Sequence, residues 1–239
     1  MRVKCGSILC GSDIMFIYEM HQHTAPCSAC GRGDPAETVY ALKEAGFSGM
    51  VITNHFYHGN TGISRDLPWA DFVAAYENDY LAAKKAGDEI GFDVIFGIEE
   101  HIGKGKELLL YGITPEFLYE HPELRDGMLE SFSKATREFG ALVIQAHPYR
   151  NRSYVTDPDE NLPLEYLDGF ESYNVCNVGD ENERAHAYAL RHGLIVTAGS
   201  DAHAEFQKLR YGISCTHRIR NSAELVETLK SGDYELYLG

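Results

Sequence analysis

The sequence predicts an α/β fold in which a mostly parallel sheet closes, or nearly closes, into a barrel. Short apolar runs alternate with helical segments about seven times along the chain, the pattern of sequential right-handed crossover units. The 239 residues are 44% hydrophobic, enough for the core of one barrel-sized domain. Histidines and carboxylates end successive strands, where barrel active sites assemble. We therefore predict one domain over residues 1–239, with residues 1–13 as an N-terminal arm or hairpin.

The first strand and the first helix have the clearest local signals. Residues 14–18, Ile-Met-Phe-Ile-Tyr, form an apolar run with the β-branched and aromatic content of a strand. Asp34 is typical of a helix N-cap, and Pro35 suits the first helical position. We predict a helix from there through Ala45, ended by Gly46.

The later elements follow the same alternation. Continuous apolar runs predict strands at 49–53, 92–98, 108–112, 141–145, 169–174, 194–197 and 211–216. Helical patterns predict helices over 68–86, 124–139, 181–192 and 223–230, the last capped by Asn221 or Ser222. Within the second helix, Phe72, Tyr76 and Leu81 are predicted to face inward.

Composition excludes several classes of partner. The net charge of −15, from 21 basic and 36 acidic residues, argues against a nucleic-acid groove or an anionic membrane surface and could offset bound divalent cations. No apolar run approaches the roughly 18 residues of a membrane span. Because Gly11-Ser12-Asp13 interrupts the first 20 residues, we predict no signal peptide.

Cysteine usage indicates a reducing compartment. With no export signal, the six cysteines are interpreted as reduced thiols of a cytoplasmic protein. Cys27 and Cys30 have CxxC spacing, but no second pair completes a zinc site and the motif does not open a helix. A redox role is therefore not favoured.

Two histidines follow the first strand with one residue between them. Side chains two apart on a strand point the same way, so His21 and His23 should project from one face. A divalent cation is the usual reason to place two imidazoles together. The pair alone is also compatible with exposed loop histidines.

Residues of the same chemical type end other predicted strands. These are His55, Glu99, His147, Glu171, Asp201 and His203. Nitrogen and oxygen donors without a closed cysteine set favour Zn, Mn or Fe in open, catalytic geometry. A carboxylate such as Glu99 can bridge two ions roughly 3.5–4 Å apart, which suits displacement at phosphorus.

Five motifs, in order along the chain, resemble those of the PHP (polymerase and histidinol phosphatase) family of metal-dependent phosphoesterases. They are Glu19-Met20-His21-Gln22-His23-Thr24, Ile52-Thr53-Asn54-His55, Gly97-Ile98-Glu99, Ala146-His147-Pro148 and Gly199-Ser200-Asp201-Ala202-His203. The resemblance implies a distorted seven-stranded β/α barrel that holds up to three metal ions at the C-terminal rim of its strands.

The resemblance also implies a ligand for each ion. The first ion would be held by His21, His23, Glu99 and Asp201. Glu99 would bridge to a second ion held also by His147, and His55 and His203 would hold a third.

The sequence departs from the family pattern at the second and third ions. Many relatives have a histidine where Leu109 stands, so we predict that Glu107, two residues earlier on the same strand face, completes the second site, with His101 as its rival. The usual third-site residue is absent, so either Cys27 or Cys30 replaces it or the third site is weakened.

Two further departures lie beside the predicted ligands. The family usually has Asp where Glu19 stands and Asp or Glu where Asn54 stands, and both residues are expected to orient an imidazole. Glu171 could be such a partner, a substrate contact or an ordinary rim carboxylate.

The predicted function is a phosphomonoesterase that hydrolyses a small-molecule phosphate by a metal-bound hydroxide in a site of two or three ions. Asp201 and His203 are the predicted catalytic residues at the metal site, with His203 a candidate proton donor to the leaving alcohol. Arg150 could grip the phosphate bidentately, as could Arg152.

Histidinol phosphate is one candidate substrate, and the oligomeric state is not predicted. Two alternatives stay open: an amidohydrolase-type metal hydrolase, disfavoured because no lysine ends a strand, and a non-catalytic metal-binding regulatory domain.

Overall fold

The computed structural model describes residues 15–204 and 210–239, and the predicted arm at 1–13 lies outside them. The described strands are β1 (Phe16–Gln22), β2 (Gly49–Ile52), β3 (Asp93–His101), β4 (Glu107–Tyr111), β5 (Leu142–Gln145), β6 (Gly169–Asn174), β7 (Ile195–Gly199), β8 (Gly212–Cys215) and β9 (Glu235–Tyr237). The α-helices are α1 (Pro35–Glu44), α2 (Trp69–Ile90), α3 (Pro115–Glu120), α4 (Leu129–Glu138), α5 (Glu181–His192) and α6 (Ser222–Ser231). Short 3₁₀ turns lie at Pro122–Asp126 and Leu164–Tyr166.

These strands form one sheet that nearly closes into a barrel. Their order is β7-β6-β5-β4-β3-β2-β1-β8-β9. The pairs within β1–β3 and within β5–β7 are parallel, as predicted. At the far edge, the segment after β7 returns to β1 through a parallel bridge between Gln22 and Ala202. The C-terminal ends of the parallel strands therefore surround a common centre.

The described sheet has nine strands where the resemblance implied seven, and one strand inside it is reversed. β4 runs antiparallel to both of its neighbours. It follows β3 through a tight loop in which Gly103 and Gly105 take φ angles of 99° and 72°. A loop this short has no room for the crossover helix that parallel pairing requires. β8 and β9 extend the sheet by antiparallel pairing on the other side of β1.

Local capping signals predicted several helix ends correctly. The Asp34 carboxylate accepts from the amides of Ala36 and Glu37, and Pro35 occupies the first turn of α1. Asn221, one of the two predicted caps of α6, accepts from the amide of Glu224.

Other helical predictions are wrong in the extent of the helix or in which residues face the core. The predicted helix over 124–139 is interrupted at Gly127, whose φ of 68° ends a 3₁₀ turn before α4 begins. In α2, Phe72 and Tyr76 are buried as predicted, but Leu81 is 49% exposed because it lies on the solvent side of the helix. α3 and the three-residue edge strand β9 were not predicted; both are too short to show a periodic pattern.

Two irregularities in the sheet lie beside the site residues. From Glu19 to Gln22, β1 advances three residues while β2 advances two, from Met50 to Ile52. A similar shift separates Glu171 from Tyr173 on β6. A bulge bends its strand and re-aims a side chain, so both shifts influence how β1 and β6 present their polar residues.

In the part of the chain that the structure describes, no helix combines the length and apolar character needed to cross a membrane.

Candidate metal centre

The structure brings all eight predicted metal-binding residues together at one end of the sheet. They are His21, His23, His55, Glu99, Glu107, His147, Asp201 and His203. Seven of them lie on or just after strands that run toward this end. Glu107 reaches the same end from the start of the reversed strand β4, where it pairs with His101 of β3.

His21 and His23 face each other through their Nε2 atoms, which are 3.1 Å apart. His21 Nδ1 lies 2.8 Å from the Glu171 carboxylate and therefore donates a proton to it. A neutral imidazole that donates from Nδ1 has its lone pair on Nε2. In its neutral form, the form that can bind a metal, His21 thus directs its lone pair toward His23.

Ser28 sets the corresponding tautomer of His23. The Ser28 hydroxyl donates to Asn54 Oδ1 at 2.9 Å and accepts from the His55 amide at 3.0 Å. Because its only proton is already used, it accepts from His23 Nδ1, which lies 3.1 Å away. The His23 lone pair then also lies on Nε2. Two converging lone pairs are stable beside each other when both bind a cation.

The predicted roles of Glu19 and Asn54 require correction. Asn54 does not contact an imidazole; it acts on His23 indirectly, through Ser28. Glu19 is buried and accepts from the backbone amide of His21 and from the Ser200 amide, so it fastens β1 to the chain after β7. The carboxylate that orients an imidazole comes instead from β6.

That carboxylate is Glu171, which is fully buried and not an ordinary rim residue. One oxygen contacts His21, and the other accepts from the His147 amide at 2.9 Å. A Cβ atom on Gly199 would lie 2.5 Å from Glu171 Oε1 and 2.5 Å from the His21 Cβ. Glycine is therefore required at 199 so that β7 can approach this pair closely.

Glu99 occupies the middle of the cluster. Its Oε1 lies 3.2 Å from His21 Nε2 and 3.0 Å from His147 Nε2. Its Oε2 lies 3.3 Å from His23 Nε2 and 2.9 Å from His55 Nδ1. One buried carboxylate thus faces four imidazoles, which is the position expected of a bridging ligand.

The contact between Glu99 and His55 tests whether a cation fits. Glu99 Oε2 and His55 Nδ1 are both buried and form an ion pair at 2.9 Å, but neither has a partner with good hydrogen-bond geometry. Buried polar atoms without partners are rare because they lose their hydration. A shared divalent cation would satisfy both atoms, so this donor set fits a metal.

Three groups of candidate ligands overlap in this cluster. In each group, one ligand atom from every residue lies within 4.8 Å of the others. The groups are His21-His23-Asp201, His55-Glu99-Glu107 and His23-His55-His203. Because they share residues, ions held by them would be close neighbours.

Of the two rivals for the second site, the structure favours Glu107. Its Oε2 lies 3.2 Å from His147 Nε2, and its Oε1 lies 3.8 Å from His55 Nδ1. His101 instead accepts from the Gly105 amide through Nε2. Leu109 packs in the apolar core and offers no ligand.

Burial and the mutual charges of the cluster residues shift the pKa values of several of them. Burial alone would lower the pKa of His21, but the carboxylates of Glu171 and Glu99 hold that pKa well above its usual value. Burial and the charge of His55 lower the pKa of His23 to about 3. Burial would raise the pKa of Glu99, yet the neighbouring imidazoles keep it well below its usual range.

Two candidate ligands have left-handed backbone conformations. His147 has a φ of 31° and Asp201 a φ of 51°. Such conformations cost about 1–2 kcal/mol in residues other than glycine. They occur here where the loops turn these side chains back into the cluster.

Six residues of the cluster line a cavity of about 510 Å³: His55, Glu99, Glu107, His147, Asp201 and His203. Arg150 lines it and is 7% exposed, with Nη2 2.8 Å from the Asp201 carboxylate. Asn177 and Asn174 accept from Nε and Nη2. Arg150 is the one Lys or Arg side chain among the described residues that line the cavity.

Arg152, the other predicted phosphate contact, lies away from this cavity. Its guanidinium donates to Glu181 and to the Cys176 carbonyl. Other residues that line the cavity are His58, Asn60, His101 and Tyr154.

The two cysteines of the CxxC motif have different environments. Cys30 lines the cavity beside His55 and His203, whereas Cys27 is buried in the apolar core. Burial would raise the pKa of the Cys30 thiol, but hydrogen bonding to His203 and His55 lowers it to about 6. Burial raises the pKa of Cys27 well above its usual value.

Sequence reasoning missed the residues that hold the ligands in place. Ser28, Asn174 and Asn177 act only through other side chains, and no spacing in the sequence signals them. Gly199 was quoted only as part of a motif, although its missing side chain is what allows β7 to approach His21.

Comparison with solved structures agrees with the barrel fold. A protein from Bifidobacterium adolescentis ATCC 15703 assigned to the metal-dependent phosphoesterases shares 17% identity with this chain, with a TM-score of 0.55 over 80% of this chain and 88% of its own. A two-domain protein from Bacteroides vulgatus ATCC 8482, containing a predicted PHP-like metal-dependent phosphoesterase, shares 14% identity, with a TM-score of 0.68 over 94% of this chain and 65% of its own. An amidohydrolase from Chromobacterium violaceum, with bound sulfate and no metal, shares 16% identity, with a TM-score of 0.58 over 89% of this chain and 96% of its own.

The sequence itself matches a family profile described as PHP-associated over residues 179–207, a segment that contains Asp201 and His203. No curated protein matches the chain in sequence. The profile match and the folds of the structural neighbours agree with the resemblance to the PHP family that the motifs indicated.

Proposed function

We propose that this protein is a metal-dependent phosphomonoesterase that acts on a small-molecule phosphate ester. The observation that carries the proposal is one cavity with a buried guanidinium, Arg150, beside a cluster of four imidazoles around Glu99. A phosphoryl group needs both parts: cations that neutralise its oxygens and a positioned donor that orients it.

Each residue of the cluster has a defined task in this proposal. The eight clustered residues would hold two or three divalent ions, and Zn, Mn and Fe suit their nitrogen and oxygen donors. Bound ions supply Lewis acidity and an activated water for attack at phosphorus. Arg150 orients a phosphoryl oxygen through Nη1, because protein acceptors already engage Nε and Nη2.

His203 was predicted both as a ligand and as a proton donor, and its surroundings favour the ligand. Its Nδ1 donates to the Asp201 carbonyl at 2.8 Å, which leaves Nε2 as the ring nitrogen that can bind a cation. A nitrogen that binds a cation cannot also carry a transferable proton. The leaving alcohol would then take its proton from water.

The cavity supports a substrate with one phosphate and a polar remainder. Its volume of about 510 Å³ matches a small ligand. Among the described lining residues, Arg150 is the one side chain with a permanent positive charge. His58, Asn60 and Tyr154 offer hydrogen bonds to a hydroxylated leaving group. Histidinol phosphate remains one candidate within this class, and the cytoplasmic location remains a prediction.

The amidohydrolase alternative is kept because one structural neighbour is an amidohydrolase. No lysine lines the cavity among the described residues, so a carbamate bridge between ions has no donor there. The regulatory-domain alternative depended on Asn54, Leu109 and the missing third-site acid. Asn54 and Cys30 are integrated into the cluster, which weakens that alternative.

Three chromogenic substrates separate these functions. We expect the purified protein, after chelation and reloading with Zn, Mn or Fe, to hydrolyse p-nitrophenyl phosphate, with much slower turnover of bis-p-nitrophenyl phosphate and p-nitroacetanilide. Preferred hydrolysis of the anilide would establish the amidohydrolase alternative. Tight metal binding without any hydrolysis of these substrates or of a panel of natural phosphomonoesters would favour the regulatory domain.

Metal binding is expected to release protons and to weaken as pH falls. The carboxylates of Glu171 and Glu99 hold the pKa of His21 well above its usual value, so a proton competes for this imidazole more strongly than for an ordinary histidine. That proton must leave before Nε2 can bind an ion, and it competes more effectively at lower pH. Titration calorimetry in buffers of different ionisation enthalpy measures the release, and proton uptake on binding would contradict this assignment.

A further inference from the structure

A buried carboxylate of helix α2 lies behind the metal cluster. Asp79 is 4% exposed, and its Oδ2 accepts from the Thr24 hydroxyl at 2.8 Å and from the Cys27 amide at 3.1 Å. Asn54 Nδ2 lies 3.5 Å from the same oxygen. None of these three residues is a candidate metal ligand. A buried carboxylate is stable only where donors surround it, and these donors lead toward His23.

Four hydrogen bonds connect Asp79 to His23, and all of them run in one direction. An ionised carboxylate only accepts, so the Thr24 hydroxyl donates its single proton to Asp79. Thr24 Oγ1 then accepts from Asn54 Nδ2 at 2.8 Å, which turns Asn54 Oδ1 toward Ser28. The Ser28 hydroxyl donates to that oxygen at 2.9 Å and accepts from His23 Nδ1 at 3.1 Å. The charge at one end thus determines which way each group donates.

Two backbone amides agree with this direction. The Thr24 amide donates to Asn54 Oδ1 at 2.7 Å, and the His55 amide donates to Ser28 Oγ at 3.0 Å. Each amide therefore binds an atom that the chain of hydrogen bonds already defines as an acceptor. Thr24, Ser28 and Asn54 are at most 1% exposed. Loss of one hydrogen bond would therefore leave a buried polar group without a partner.

The direction matters because the other ring nitrogen of His23 faces two carboxylates. His23 Nε2 lies 3.2 Å from Asp201 Oδ1 and 3.3 Å from Glu99 Oε2. Either carboxylate could accept a proton from Nε2 in the metal-free protein. A proton on Nε2 would occupy the lone pair that a cation needs. The hydrogen bonds from Asp79 oppose this, since they require the proton on Nδ1.

We propose that Asp79 is a positioning residue for His23. Its charge directs the connecting hydrogen bonds so that the His23 proton stays on Nδ1 and Nε2 is available to an ion. The effect on metal binding rests on the proposed metal-dependent function, whereas the position of the proton is a property of the chain alone. The Thr24 hydroxyl is the necessary link, because it joins the carboxylate to the Asn54 amide.

Thr24 allows a test with little change in side-chain size. Thr24→Val removes the hydroxyl and keeps the shape, whereas Thr24→Ser keeps the hydroxyl. In the metal-free full chain with ¹⁵N-labelled histidine, the protonated and unprotonated ring nitrogens have well-separated resonances, and comparison with His23→Gln assigns those of His23. We expect the proton on Nδ1 in the wild type and in Thr24→Ser, and a substantial fraction on Nε2 in Thr24→Val.

Zn²⁺ affinity is the second readout, measured by competition with a chromogenic chelator. Thr24→Val should weaken the binding of at least one ion by about 10–100-fold, the scale for loss of a group that orients an imidazole ligand. Asp79→Asn keeps an acceptor but not the charge and should cause a smaller loss. Thr24→Ser should bind Zn²⁺ like the wild type. So should Asp71→Asn, the matched control, whose side chain is exposed on the same helix.

The outcomes separate this inference from the proposed function. A wild-type proton position in Thr24→Val would overturn the inference, as would equal losses of Zn²⁺ affinity in Thr24→Val and Thr24→Ser. The metal-dependent function would stand in both cases. A wild-type chain that binds no Zn²⁺, Mn²⁺ or Fe²⁺ would contradict the proposed function, while the proton position would still test the inference. If thermal unfolding shows that Thr24→Val does not fold, unchanged proton position and affinity in Asp79→Asn would overturn it.

Discussion

Replacement of Glu99 by glutamine is expected to reduce metal-dependent phosphomonoester hydrolysis by about 10³-fold or more. Glu99 Oε1 and Oε2 together face His21, His23, His55 and His147 at 2.9–3.3 Å, so one side chain serves more than one ion. Glutamine keeps the size but lacks the charge that balances the cations. Elemental analysis should show fewer bound ions in the variant.

The neighbouring buried carboxylate provides the control for this prediction. Glu100 is also fully buried, but it accepts from the His58 amide at 2.8 Å and does not contact the cluster. Glu100→Gln retains that acceptor and should retain its ions. Added Zn or Mn should raise the melting temperature of the wild type and of Glu100→Gln, because ligand binding to the folded state stabilises it. An equal rise in Glu99→Gln would show that Glu99 is not a ligand.

The second large effect is expected at Arg150. Arg150→Lys should lower kcat/KM for phosphomonoesters by about 10²-fold, the scale for loss of one positioned donor to developing charge. The guanidinium is held by Asn174, Asn177 and Asp201, and lysine cannot reproduce that planar set of contacts while pointing into the cavity. Bound metal should stay at the wild-type level.

Arg152→Lys is the matched control, since its guanidinium pairs with Glu181 outside the cavity. It should have nearly wild-type kinetics. Arg150→Lys with normal kcat/KM and normal metal content would remove Arg150 from phosphate recognition. Loss of metal together with activity would instead mean that Arg150 acts mainly on Asp201, 2.8 Å away.

The position of the site was predicted from local sequence patterns together with the direction of the parallel strands. Each parallel strand delivers its last residues to the same end of the sheet, so His55, His147 and Asp201 were predicted together from the strand pattern. Helix caps were equally local: Asp34 and Asn221 bond to amides two or three residues away. Such contacts need no knowledge of distant parts of the chain.

The reversed strand shows where that reasoning fails. Strand direction depends on the length and conformation of the preceding loop, and Gly103 and Gly105 allow β4 to turn back against β3. The parallel strands bring their last residues to the metal-binding end of the sheet. Because β4 runs the other way, its first residue, Glu107, lies at that same end.

The amino-acid sequence alone was thus enough to predict the strand–helix alternation, the principal helix caps and the set of ligand-type side chains. These features depend on neighbouring residues and on periodicity. Three features depend on long-range packing. These are the pairing of His21 with Glu171, the Asn54–Ser28 hydrogen bond that sets the His23 tautomer, and the choice of Cys30 over Cys27. The first joins residues 150 positions apart in sequence. The last depends on the loop that carries both cysteines, because its backbone hydrogen bonds to Asn60 and His203 decide which side chain faces the cavity. Contacts of this kind form only when the folded backbone brings the partners together, so no local pattern encodes them.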